Sequence, residues 1–142
     1  MFVNQKMQDF ITFHPHAMVG YLLAGYPDQE AFFRMAKKSV ESGLSILEIG
    51  FPSNDPRADG EVIRKAHACV DKSICSDLSF WKKLRDTVEV PIWIMGYKKD
   101  LYVDNIYLNL AKSGLVDAFV IPDMGTEELF SLGEQLREYH TE

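Results

Sequence analysis

Glu48 and Asp59 stand either side of a proline- and glycine-containing loop, FPSNDPRADG, residues 51–60. Glu48 lies near the end of an apolar run and shares strand parity with Ile46 and Gly50. A carboxyl in that register is partly desolvated, which disfavours its charged form and raises its pKa. That suits an acid/base that shuttles protons. The plainer alternative is a strand-end glutamate paired with a neighbour. Asp59 precedes Gly60, where a helical pattern begins, so it is either a second carboxyl of the same site or a helix N-cap. Asp55 precedes Pro56 and is open to an Asx turn. His14 and His16, in FHPHA, are split by a proline and lack a third ligand, so no metal site is expected. His67, mid-helix, and His140 are expected on the surface. Cys69 and Cys75 make neither a CxxC pair nor a zinc spacing and are expected as free, buried thiols.

Four apolar runs must hold these residues: MVGYLLAG (18–25), LSILEIGF (44–51), VPIWIMGY (90–97) and VDAFVIPD (116–123). Each is nearly continuous rather than alternating, which reads as strands buried on both faces, as in a parallel sheet. Helical stretches separate them. DQEAFFRMAKKSVESG opens on Asp28 as N-cap and closes on Gly43. GEVIRKAHACV follows the second run, then SDLSFWKKLRDTVE with Ser76 as its expected cap. DNIYLNLAKSG runs to Gly114. TEELFSLGEQLREYH has Thr126 as its expected cap and acidic residues in its first turn. A short helix is expected near residues 4–12. Helix lysines and arginines read as a solvated face. Repeating strand–helix units predict an α/β fold with a parallel sheet, here one domain over residues 1–142. No GxGxxG follows the first strand; the turn there is AGYPD, which does not cradle a pyrophosphate in the Rossmann manner.

Composition excludes several classes. The chain has 142 residues, 15 basic and 21 acidic, for a net charge of −6. No dense basic patch marks a nucleic-acid surface. No apolar run reaches the roughly 18 residues of a membrane span. MFVNQKMQDF lacks a basic start followed by an apolar core, so a signal peptide is not expected and the cytoplasm is.

The segment LEIGFPSNDPRADGEVI resembles the signature of the tryptophan synthase alpha-chain family. Glu48, Gly50, Pro52, Asp55, Pro56, Ala58, Asp59, Gly60 and Ile63 match it at fixed spacing. GYLLAGYPD, PIWIMGYKKD and AFVIPDMGTEE resemble the family's first, third and fourth strands, in the family's order. The resemblance implies a TIM (β/α)8 barrel, of which this chain holds four βα units: a half-barrel. It implies retro-aldol cleavage of indole-3-glycerol phosphate to indole and glyceraldehyde 3-phosphate. Indole passes to a beta chain, and the alpha reaction uses neither cofactor nor metal. By the same resemblance Glu48 is the acid/base and Asp59 contacts the indole nitrogen. Tyr21 and Tyr97 line the indole pocket, with core packing as their alternative. Pro52 and Asp55 face the beta chain.

The sequence also departs from the family pattern. Ser53 and Asn54 replace a Phe-Ser pair, Arg57 an apolar residue, Glu61 a proline and Arg64 a glutamine. Lys98, Lys99 and Asp100 replace a Tyr-Asn-Pro of the subunit contact. Arg57 places a cation beside Asp55 and Asp59, where it lowers the pKa of a carboxyl it touches. A full barrel takes about 250 residues and binds phosphate through its last two units. Four strands leave two edges and one inner face open. The expectation is therefore a homo-oligomer, a complementing half-barrel from another chain, or part of a longer protein.

Overall fold

The computed structural model describes residues 5–142. Its elements run α1 (Gln5–Phe13), β1 (Val19–Leu23), α2 (Gln29–Glu41), β2 (Ile46–Gly50), α3 (Glu61–Cys69), α4 (Leu78–Thr87), β3 (Ile92–Met95), α5 (Lys98–Leu101), α6 (Ile106–Lys112), β4 (Ala118–Val120) and α7 (Thr126–Leu136), with short 3₁₀ turns between some of them. The strands form one parallel sheet in the order β1-β2-β3-β4. That sequential order is the order of a barrel wall; a doubly wound sheet reverses part-way. Each strand is shorter than the apolar run that contains it. Gly25, at φ 72, turns the chain at the end of the first run.

One face of the sheet makes the core. Leu47 and Ile49 of β2 and Ile92 and Ile94 of β3 are fully buried with Phe32 and Ala36 of α2, Leu84 of α4 and Leu110 of α6. Each such side chain contributes about 1.5–3 kcal/mol relative to exposure. Phe32, Phe33, Phe80, Trp81 and Phe51 form a run of rings with centroids 5.1 to 5.6 Å apart. Phe51 begins the 51–60 loop, so the core anchors the first residue of the site.

The helix ends correct several expectations. Asp28 caps α2 as expected, accepting from Ala31 N at 2.8 Å. Ser42 is the last capping residue of α2, and Gly43 follows it at φ 105. Asp77, not Ser76, caps α4, accepting from Ser79 N at 2.9 Å; Ser76 is taken up by a 3₁₀ turn, Lys72–Ser76. Gly125, not Thr126, caps α7, because its extended backbone lets its N–H meet the Glu128 carboxylate at 3.3 Å. Helix α6 starts at Ile106 rather than at Asp104, since Asp104 and Asn105 sit in the left-handed region at φ 50 and 53. Both cysteines are free, but Cys69 is exposed and Cys75 half-buried, so neither is a core thiol.

The β4 edge is partly paired. Phe119 N donates to Glu142 O at 2.6 Å and Glu142 N donates to Asp117 O at 3.0 Å. At the entry to β4, Asp117 accepts from Ile92 N at 2.9 Å, from Arg85 Nη1 at 3.0 Å and from the Lys6 ammonium. Arg85 is thus drawn inward between α4 and β3 rather than lying on a solvated face.

Candidate active site

Register places Tyr21 opposite Glu48, Glu48 opposite Trp93 and Trp93 opposite Ala118. Their parity is opposite to that of Leu47 and Ile49, so they form one row on the sheet face away from the helical core. Glu48 is half-buried, and no hydrogen bond from a described residue offsets the desolvation of its carboxyl. Burial holds its pKa above the ordinary glutamate value. Two donors flank it without acceptors among the described residues: the Tyr21 hydroxyl and Trp93 Nε1, both buried. Tyr21 lies across Gly50, where a Cβ would come within 2.1 Å of its Oη. Burial first, then the charges of Asp59 and Glu48 and the neighbouring Tyr97, push the Tyr21 phenol far up. The hydroxyl is therefore in electrostatic reach of both carboxylates.

Asp59 is brought to the row by Tyr97. The Tyr97 hydroxyl donates to Asp59 Oδ2 at 2.7 Å and accepts from Ala58 N at 2.8 Å. Burial, then the bond to Asp59, raises the Tyr97 phenol. Asp59 is not the N-cap of α3. Gly60 holds that position, with no side-chain capping bond. Tyr21, Glu48, Asp59 and Tyr97 are thus gathered at one place. Pro52 is buried, whereas Asp55 is half-exposed. Asp55 makes no Asx turn; its carboxylate pairs with Arg57 and, at 3.3 Å, with Lys99. The Arg57 bond, then Lys99, lowers its pKa. Beside Tyr97 opens a cleft of about 420 Å³ lined by Arg57, Ala58, Tyr97, Lys99, Pro122 and Asp123. Among the described residues no three His, Cys, Asp or Glu converge as a metal site.

His67 corrects the surface expectation. It is 1% exposed. Its Nδ1 accepts from Ser53 N at 3.0 Å, and its Nε2 lies 3.9 Å from Asp59 Oδ2. A signal for this was present in the sequence: Ile63, Ala66, His67 and Val70 follow helical spacing, so His67 falls on the buried stripe of α3.

The family model described as tryptophan synthase alpha chain matches residues 7–141. The chain belongs to the tryptophan synthase alpha chain family. The tryptophan synthase alpha chain of Aquifex aeolicus is 30% identical over 143 residues, which are 96% of this chain and 55% of that one. That of Sulfurisphaera tokodaii is 37% identical over 109 residues, 75% of this chain and 44% of that one. The chain therefore spans about half the length of the curated relatives it matches. An Aquifex aeolicus structure superposes with a TM-score of 0.78 at 28% identity, over 96% of this chain and 58% of that one. Tryptophan synthase from M. tuberculosis, in an aminoacrylate- and BRD0059-bound form, superposes with a TM-score of 0.80 over 99% of this chain and 59% of that one. At 21% identity the latter speaks for the fold alone. The four parallel strands are thus the half-barrel expected of a tryptophan synthase alpha-chain TIM barrel.

Within this alpha-chain frame, Tyr97 is the tie between loop and sheet. Tyr97→Phe removes both bonds of the hydroxyl. It is expected to cost about 1–2 kcal/mol, the scale of a lost bond that leaves a partner unsatisfied. A lowered denaturant midpoint with faster amide exchange at Ala58 is the expected result; unchanged exchange at Ala58 would show that the loop is held otherwise.

Proposed function

We propose that the chain carries the acid/base half of an alpha-chain lyase site that cleaves indole-3-glycerol phosphate to indole and glyceraldehyde 3-phosphate. The observation that supports this reading is a pair of unlike carboxylates: Glu48, in register with Tyr21 and Trp93 on the sheet face away from the core, and Asp59, held by the Tyr97 hydroxyl at the loop. Glu48 is desolvated and unbonded; Asp59 is hydrogen-bonded at the loop. In the proposed reaction Glu48 in its acid form protonates indole C3, and as carboxylate it takes the proton of the hydroxyl beside the breaking bond. The electron pair of that O–H becomes the aldehyde carbonyl, and the carbon–carbon bonding pair returns to the ring. Asp59 accepts from the indole N–H as positive charge develops there. Neither step calls on a cofactor or metal. Tyr21 and Tyr97 wall the indole, and Asp55 belongs to the face that meets a beta chain, with Pro52 supporting that loop from beneath. The phosphate site falls to units beyond these four, supplied by further chain, a complementing half-barrel or a second copy. On this reading residues 1–142 form one domain that works in the cytoplasm. The test is indole release from indole-3-glycerol phosphate by the purified protein, with and without a tryptophan synthase beta chain. No release in either case overturns the reading for this chain.

A second reading is favoured by the uncovered face. Val19 and Val120, on the row away from the core, are 44% and 36% exposed, and among the described residues no strand pairs with the outer edge of β1. On this reading the half-barrel is an interaction module that pairs with a second copy or another chain. Sedimentation of the purified chain is expected to show a species larger than the monomer; a well-folded monomer at all concentrations would set it aside.

A further inference from the structure

His67 is a buried imidazole whose tautomer the backbone fixes. A backbone N–H can only donate, so the bond from Ser53 N makes Nδ1 an acceptor and puts the ring proton on Nε2. That Nε2–H is buried and has no hydrogen-bond partner among the described residues. The acceptor it faces is Asp59 Oδ2, at 3.9 Å, the same oxygen that takes the Tyr97 hydroxyl. A buried donor without an acceptor is unfavourable, so a small movement of the loop toward α3 is favoured wherever it closes this gap. Closing it takes about 1 Å, down to an ordinary N–H···O length.

We propose that His67 is a positioning residue: its Nε2–H and the Tyr97 hydroxyl together hold the Asp59 carboxylate at the site. This rests on the lyase reading for the use of Asp59, not for the geometry. The loop and the helix are joined twice by one ring. Ser53, at the start of the loop, is held at Nδ1, and Asp59, at its end, is faced by Nε2. Three charged groups bear on the imidazole from the elements around it: Asp59 from the loop, Lys72 from the 3₁₀ turn and Asp100 from α5. The Lys72 ammonium also bonds the carbonyls of His67 and Val70, which ties the C-terminal end of α3 down. Burial lowers the His67 pKa, and the Asp59 charge partly restores it. His67 is neutral in this arrangement, because a proton on Nδ1 would break the Ser53 bond.

Long-range proton–nitrogen NMR of the histidine rings tests this on the unaltered protein. The expected result is a neutral His67 protonated at Nε2, with a titration midpoint below the ordinary histidine value. Asp59→Asn removes the anion, so the His67 midpoint is expected to fall further. A neutral ring protonated at Nδ1, or a midpoint that Asp59→Asn leaves unmoved, would overturn the assignment. The tautomer requires no variant, so a misfolded Asp59→Asn protein does not remove the test. Neither readout needs turnover: an inactive protein with the Nε2–H tautomer fails the lyase reading alone, and an active one with Nδ1–H fails this inference alone.

Discussion

Glu48→Gln is expected to lower indole release by about 10²- to 10⁴-fold, the range a positioned acid/base supplies. Gln has nearly the shape of Glu and can neither give nor take the proton, so the loss falls on chemistry rather than packing. The stability readout separates the two. Burial raises the Glu48 pKa in the folded protein above its unfolded value. Its favourable contribution is therefore complete below the unfolded pKa and is lost as pH rises through the folded one. At neutral pH the native carboxylate is desolvated without a bonding partner, so Glu48→Gln is expected to be no less stable than the parent there. The acid limb of the pH–rate profile, displaced above the ordinary glutamate range, is expected to vanish in the variant. Steady-state indole release over pH 5–9 and denaturant melts at two pH values check this. A variant with the parent's rate, or one that loses rate only because it unfolds, would remove Glu48 from the role.

Much of the frame behind that result was legible in the sequence. The four apolar runs marked the four strands because parallel strands here bury one face wholly under helices, as Leu47, Ile49, Ile92 and Ile94 do. Their other face was read less well. Tyr21, Glu48 and Trp93 interrupt the apolar runs at matched positions, and only the register shows that they form one row. Spacing left Asp59 with two roles. The choice between them depends on Tyr97, far along the chain, whose hydroxyl takes the carboxylate while Gly60 caps the helix. Local rules misplaced caps where two good capping residues adjoin, as Ser76 and Asp77 do. They also misread polar residues whose partners are remote. His67 finds Ser53 only when the loop folds back over α3, and Arg85 finds Asp117 only when β3 and β4 pair. A charged or imidazole side chain on a helix carries no local sign of such a partner.

The Arg85–Asp117 contact leads to the second large effect: Asp117→Ala is expected to destabilise the protein by about 3–5 kcal/mol, the cost of stripping one partner from a buried ion pair. The Asp117 side chain is 4% exposed and that of Arg85 20%. One Asp117 oxygen accepts both from Arg85 Nη1 and from Ile92 N, so the alanine leaves one guanidinium N–H group and a backbone donor unanswered at once, and the buried cation without its counter-charge. Arg85 cannot simply swing into water, because its other nitrogen bonds the carbonyls of Val88 and Val90 at 2.7 and 2.6 Å. Those bonds fix the turn from α4 into β3, and through it the strand that carries Trp93 and leads to Tyr97. The loss is a large share of the roughly 5–15 kcal/mol that holds a domain folded. Asp117→Asn keeps an acceptor for the Ile92 N–H and is expected to cost less. Lys6, the third partner, is 61% exposed, so Lys6→Met is expected to cost less than about 1 kcal/mol. Equilibrium denaturation of the three variants should rank them in that order. If Asp117→Ala proved as mild as Lys6→Met, the three-way contact at the base of the sheet would contribute little, and the entry to β3 would have to be held by the apolar packing of Val88, Ile92 and Val116 instead.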